Sequence, residues 1–492
     1  MTKSELQRLI KIEERIKQIV IEEYGIPCSP VEFDVIPPEK MLEIMSYRGP
    51  TQISSWKYGR DYEKAKTIYD NVSSSLPYEV VISDNPSRAY LMNNNTFAVH
   101  ALVIAHVYGH TAFFTNNKYF QDTRCDIISV LASASKRFEE YEKVFGIDAV
   151  EKIVDAGHAL QWHTLPTDDE TDEEVRLRIF QQERLMNRPD TSEFSDIVVS
   201  EKKGGDVEAY NNKLWRDLKQ KTPVEPTGDL LRYIIDNSSY LDSWEKDILD
   251  ILRIEGQYYW PVMKTKFIDE GYAVFIHEHV VNQLFREGLL TETEHGQFNH
   301  SNSLVKARNK MTLNPYLVGS GIWYDIEDRW NKGRHGEAWD NCCIRKEKEE
   351  WDTGAMEGLA KVHSLMETHT DWFFIQEYLT PKLIDEMDLY IYQMVNKYGG
   401  SVDFVRTEHT IDEIKDIIVA QFSNGGLPLI KVIDGNHNND GSLLLEHLFD
   451  GRPLNKEYAE KTMAHIHHLW NRSIFLQTQV KDTIHIVSVE KS

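Results

Sequence analysis

Two histidines four residues apart, His106 and His110, have the spacing best suited to chemistry in this sequence. On a helix four residues turn through about 400°, which puts both imidazoles on one face, a single turn apart. That geometry presents two nitrogen ligands to one zinc ion. With 19 histidines in 492 residues, chance alone supplies roughly 0.7 such pairs, so the spacing needs support from its surroundings. The plain alternative is two partly buried helix histidines hydrogen-bonded to neighbours. Two ligands leave a zinc site incomplete, and Glu270, within Asp269-Glu270-Gly271-Tyr272-Ala273, is the candidate third. It lies in an otherwise apolar helical stretch, where an unpaired carboxylate is costly. Gly271 beside it costs about 1 kcal/mol against alanine in mid-helix, which close approach of another element would explain. A buried salt bridge is the other reading of Glu270.

The H-E-x-x-H hydrolases take their general base from the Glu after the first histidine. Here that position is Val107. Either another group is the base or the metal does no peptide hydrolysis. Candidates for the catalytic role are Glu79, beside a strand, and His277, two turns beyond Glu270 on the same helix face. His300, in FNHSNS, is a looser candidate as ligand or transition-state donor. Each also has an ordinary structural reading. In the C-terminal triplet, His465 and His468 share a helix face while His467 points elsewhere, as expected for a solvated surface. WDTGAMEG and FSNGGLP hold glycines without phosphate-loop spacing, so no nucleotide-type cofactor is expected.

The elements that must position these residues are legible in part. A first amphipathic helix carries Leu6, Leu9, Ile10, Ile16, Ile19 and Val20 and stops at Gly25. A loop-rich stretch follows it. YEVVIS (78–83) and AYLM (89–92) read as strands around an Asp84-Asn85-Pro86 turn, and AYLM is expected at a sheet edge, where an extended substrate could add as a strand. Thr96 is the expected N-cap of the helix that ends in the histidine pair. Helices are expected over 126–145, 147–163, 229–253, 258–288 and within 311–330. Beyond about residue 385 the pattern changes. VDFVR, LIKVI, SIFLQ and IHIVSV read as strands, with helices at 411–421 and 455–470 between them. The expected fold is α+β. It joins a mainly helical zincin-like body with a small N-terminal sheet to a small C-terminal α/β module. Expected divisions are 1–165, an acidic and flexible insertion at 166–226, a helical part at 227–385, and 386–492.

Composition narrows the function classes. The formal net charge is −24, from 55 Lys plus Arg against 79 Asp plus Glu. So acidic a body repels phosphate backbones and anionic lipid heads, which disfavours nucleic acid and membrane surfaces as partners. Four cysteines, with no C-x-x-C pair, fit a reducing compartment. The N-terminus lacks a continuous apolar core, and no stretch approaches ~18 consecutive apolar residues. A cytoplasmic protein is expected.

Several blocks resemble the stage V sporulation protein R (SpoVR-like) family. They are GPTQISSWKYGRDYEKAK, YEVVISDNPSRAYLMNNNT, AHVYGHTAFFTNNKYF, DEGYAVFIHEHV, LNPYLVGSGIWYDIE and DWFFIQEYLTPKL, in the family's order. The resemblance covers nearly the whole chain and is weakest over 166–226. Two positions depart from the family pattern. Ala112 stands where an Asp is usual, which removes a possible partner of the metal ligands, and Tyr272 stands where a Trp is usual. The Glu-Gly-Tyr-Ala segment is also similar to the Glu-Gly-Trp-Ala segment of metallopeptidases with a glutamate third ligand. The resemblance implies a role in spore cortex formation, or in non-sporulating bacteria a link to a stress-related serine kinase system. The reading that follows is a zincin-like metalloprotein holding zinc or another divalent metal, with peptide or amide hydrolase activity on a protein or peptide-type substrate. The alternative is a non-catalytic adaptor with a structural or vestigial metal site.

Overall fold

The computed structural model describes residues 3–47, 53, 55–73, 79–167, 172–186, 204–396, 402–480 and 483–490. It is α+β and mainly helical, with small sheets in its N-terminal and C-terminal regions. The chain divides into two compact units. The first comprises Met1–Arg137 and Tyr258–Gly426, the second Phe138–Gln257 and Leu427–Ser492.

The first unit is built around the helix Phe97–Asn116, whose residues from Ala98 to Phe113 are all buried. A helix apolar on every face must be enclosed on every side. Thr96 caps it, its side chain accepting from the Val99 amide at 3.4 Å. Among the described residues it alone is long and apolar enough to cross a membrane, and it is buried inside the fold. The helices Lys3–Gln18, Lys266–Arg286 and Glu292–Val305 pack against it.

Glycines set how closely these helices cross. A Cβ on Gly109 would lie 2.6 Å from the Ala273 Cα, and one on Gly271 would lie 2.3 Å from the Gly319 carbonyl carbon. The second contact binds Lys266–Arg286 to the helix Pro315–Asn331. Backbone cannot swing aside as a side chain can. Gly271→Ala is therefore expected to cost about 3 kcal/mol, the upper end of ordinary overpacking. Urea unfolding of the variant against wild type measures it, and a loss below about 1 kcal/mol would mean that the helices separate easily.

A three-stranded sheet borders the helical core. It comprises β1 (Val31–Ile36), β2 (Val80–Ile82) and β3 (Ser87–Met92), in the order β1-β3-β2. β3 pairs parallel with β1, Ala89 opposite Phe33, and antiparallel with β2, Ala89 opposite Val81. This corrects the expectation for AYLM, which is the central strand and has no free edge for a substrate. The signal overlooked was β1 itself, where Val31, Phe33 and Val35 alternate with Glu32 and Asp34.

In the second unit β6 (Leu429–His437), β7 (Ser442–Leu448), β8 (Ile474–Val480) and β9 (Thr483–Val489) form one sheet in sequence order. β7 and β8 run parallel, joined through the helix Lys456–Trp470. β4 (Tyr392–Asn396) and β5 (Val402–Arg406) form a separate antiparallel pair in the first unit. Within the acidic stretch after residue 165, Asp172–Met186 and Gly204–Gln220 are helices that share a small apolar cluster of Val175, Leu218 and Val224. The parts of the expected insertion at 168–171 and 187–203 lie outside the described residues.

Candidate metal centre

Four side chains meet beside the central helix: Glu79, His106, His110 and Glu270, with one ligand atom of each within 4.8 Å of all the others. His106 and His110 come from adjacent turns of Phe97–Asn116, and Glu270 from the start of Lys266–Arg286. Glu79 immediately precedes β2. The Asp371 carboxylate holds the Lys266–Arg286 helix in place, accepting from the Phe267 and Ile268 amides at 2.8–3.0 Å. That satisfies amides at the helix start that no carbonyl within the helix can reach.

The donor geometry suits a single ion. His106 Nε2 lies 2.9 Å from Glu79 Oε1 and 3.5 Å from Glu270 Oε2. His110 Nε2 lies 3.6 Å and 3.5 Å from the same two oxygens. A tetrahedron of donors ~2.0–2.1 Å from its centre has edges of roughly 3.3 Å. The His106 Nε2 and Glu270 Oε2 atoms are buried and make no well-aligned hydrogen bond, their nearest polar neighbours being the other donor atoms of the cluster. Buried polar atoms are ordinarily satisfied, so two orphans aimed at one point call for a partner. A divalent cation would be neutralised by the two carboxylates.

Without an ion the cluster holds protons instead. Burial pushes Glu79 up, but His106 and His110 outweigh it and hold its carboxyl down at about 2. The same histidines hold Glu270 well below the usual carboxylate range. Burial likewise opposes charge on His106 and His110, yet the facing carboxylates raise both, with Glu79 leading at His106 and Asp269 at His110. Tyr316, at the start of Pro315–Asn331, also faces the cluster. Burial and the charges of Glu270 and Glu79 push its phenol well above its ordinary value, so it remains a hydrogen-bond donor.

The structure thus brings His106, His110 and Glu270 together and adds Glu79 to them. His277 touches the cluster from behind, its Nδ1 2.8 Å from His106 Nδ1. Burial pushes His277 down to about 3, which keeps it neutral. His300 is exposed on Glu292–Val305 and stands outside the cluster. Asp269 and Tyr316 escaped the sequence reading. Asp269 Oδ1 accepts from His110 Nδ1 at 2.8 Å, so the carboxylate partner that Ala112 cannot provide comes from another helix. Val107 is fully buried in the apolar core, where a glutamate would find no water.

Residues 3–427 match the family described as SpoVR like protein, and residues 428–481 match the SpoVR-like C-terminal domain. The chain belongs to the SpoVR-like family. The boundary between the two matches falls one residue from Gly426/Leu427, where the first unit of this SpoVR-like chain gives way to the second. A relative in Escherichia coli (strain K12), described as uncharacterized protein YcgB, is 28% identical over 487 residues. That match covers 93% of the SpoVR-like chain and 89% of the relative. No solved structure matches.

Proposed function

We propose that the Glu79/His106/His110/Glu270 cluster is a divalent metal centre, zinc being the ion its donors suit, and that the protein is a zincin-like hydrolase of peptide or amide bonds. The two buried orphan atoms, His106 Nε2 and Glu270 Oε2, carry this reading. A bound divalent ion supplies Lewis acidity and lowers the pKa of water. The protein's own residues then divide the work. His106, His110 and Glu270 hold the ion, and their donor atoms converge from two helices locked by glycine contacts. Glu79 takes the base's part that Val107 cannot. Its side chain is 17% exposed, like the 19% of Glu270 and unlike the 3% of His106, so both carboxylates lie nearer solvent than the histidines. The half-buried Tyr316 phenol can donate to a developing oxyanion. A cytosolic peptide-type substrate, in envelope formation or a kinase-linked stress response, fits the family resemblance and the acidic body.

One observation favours a second reading. Glu79 Oε1 is as near the two histidine nitrogens as Glu270 Oε2 is, and four protein ligands would close the site and make it structural. Metal analysis of purified wild type and Glu79→Gln separates the two. Catalytic duty predicts about one ion per chain in both proteins, with hydrolysis of a peptide library lowered about 10²–10⁴-fold in the variant. Loss of the ion in Glu79→Gln assigns Glu79 as a ligand and the site as structural. Wild type devoid of stoichiometric metal after metal-supplemented growth overturns both.

A further inference from the structure

We propose that His277, Asn302 and Glu278 form a hydrogen-bonded relay that fixes the proton of His106 on Nδ1 and so presents Nε2 as a bare lone pair. The inference rests on the metal reading above and assigns three positioning residues behind it.

The polarity follows from the far end. Glu278 receives Lys306 Nζ at 2.5 Å and the Tyr324 hydroxyl at 2.5 Å. Burial pushes its carboxyl up, but Lys306 above all, with His277 and Tyr324, holds it below the ordinary range, so it only accepts. The Asn302 atom facing it must then be the amide nitrogen, Nδ2, which donates to Glu278 Oε1. That turns Asn302 Oδ1, an acceptor, toward His277 Nε2 at 3.0 Å, and His277 must carry its proton there. A second proton on Nδ1 would make a buried imidazolium, 1% exposed, with no carboxylate among its hydrogen-bond partners. His277 Nδ1 is therefore an acceptor, and His106 Nδ1, 2.8 Å away, must donate to it. Only Nε2 of His106 remains to bind an ion, and it is the nitrogen turned toward Glu79 Oε1 and Glu270 Oε2 without a well-aligned hydrogen bond to either.

His110 reaches the same state more directly, its Nδ1 donating to Asp269. Asp269, Glu270, His277 and Glu278 all lie on Lys266–Arg286, while Asn302 comes from Glu292–Val305. One helix thus supplies a ligand and the orienting groups of both histidines. The far end of the relay ties those groups to Lys306, just past the helix Glu292–Val305, and to Tyr324 on Pro315–Asn331.

Two measurements on the full chain test the relay. Nitrogen-15 NMR of histidine-labelled, zinc-loaded wild type should show His106 bound through Nε2, with a slowly exchanging proton on Nδ1 coupled to His277. Cobalt titration against a competing chelator should show Asn302→Leu and His277→Phe binding about 10–100-fold more weakly than wild type. In Asn302→Leu the Nδ1 proton should also exchange faster. A purely structural role for Asn302 would lower the melting temperature without moving that resonance. Ligation of His106 through Nδ1 overturns the relay, and so does wild-type cobalt affinity within twofold in a folded Asn302→Leu. Failure of wild type to take up either ion instead overturns the metal centre itself. The relay then stands or falls on the His106 tautomer of the metal-free protein at alkaline pH, measured in the same way.

Discussion

Stripping the metal should make stability fall steeply as pH rises above about 6.5, while the loaded protein should fall much less, since the buried Asp371, pushed up to about 8, slopes both curves alike. In the metal-free fold the pKa values of His106 and His110 are raised above the ordinary 6.5, because Glu79, Asp269 and Glu270 surround them. A histidine raised on folding contributes stability that is complete below 6.5 and is lost as pH climbs through its folded value. While both are charged only in the folded state, the slope approaches ~2.7 kcal/mol per pH unit, or ~1.4 for each group. Asp269 also faces the cluster, and burial pushes its carboxyl up against the pull of His110, so on folding it loses stability in the same direction as pH rises. Glu79 and Glu270 are ionised in both states, and His277, pushed down to about 3, is neutral in both. Tyr316 keeps its proton throughout, because burial and the two carboxylates push it up. A bound ion replaces the histidine protons and removes their part of the alkaline loss. It also adds about 2.7 kcal/mol at a free concentration of 100 Kd. Urea unfolding at several pH values, with and without chelator, reads both curves. A metal-free protein as stable at pH ~9 as at pH ~6.5 would contradict the arrangement of charges described.

Asp229→Ala should destabilise the second unit by about 3–5 kcal/mol. Asp229 and Arg253 are each 3% exposed and joined by three contacts of 2.6–3.3 Å. Asp229 also caps the helix Leu230–Asn237, accepting from the Arg232 amide at 2.9 Å, and receives the Leu165 amide at 3.3 Å. Alanine would take a buried carboxylate away from a buried guanidinium and from two amides. The double variant Asp229→Leu/Arg253→Met should recover part of the loss, since removing both charges leaves none buried alone. Calorimetry of the full chain follows the transition. A shift of the single variant below about 1 kcal/mol would show that water reaches Arg253 once the carboxylate is gone.

What the sequence determined by itself was local. The four-residue spacing of His106 and His110, the Thr96 cap, the Gly25 stop and the α+β sequence of elements all follow from chemistry within a turn or two of helix or strand. Glu270 was legible because a carboxylate beside a glycine is out of place in an apolar helix. Its partner across Gly271 was not legible, because Gly319 lies far along the chain. Only the tertiary structure decided that AYLM is a central strand, since β1 reaches it from 56 residues upstream, Phe33 opposite Ala89. It also decided that Glu79 meets His106, His110 and Glu270, that Asp269 pairs with His110, and that Asn302 and Glu278 stand behind His106. The physical reason is the same in each case. A helix face records which of its own residues point together, but which foreign donors meet that face depends on where the helices cross. Glycine contacts at Gly109 and Gly271 set that crossing through backbone shape, and no periodicity along the chain records what lies on the other side.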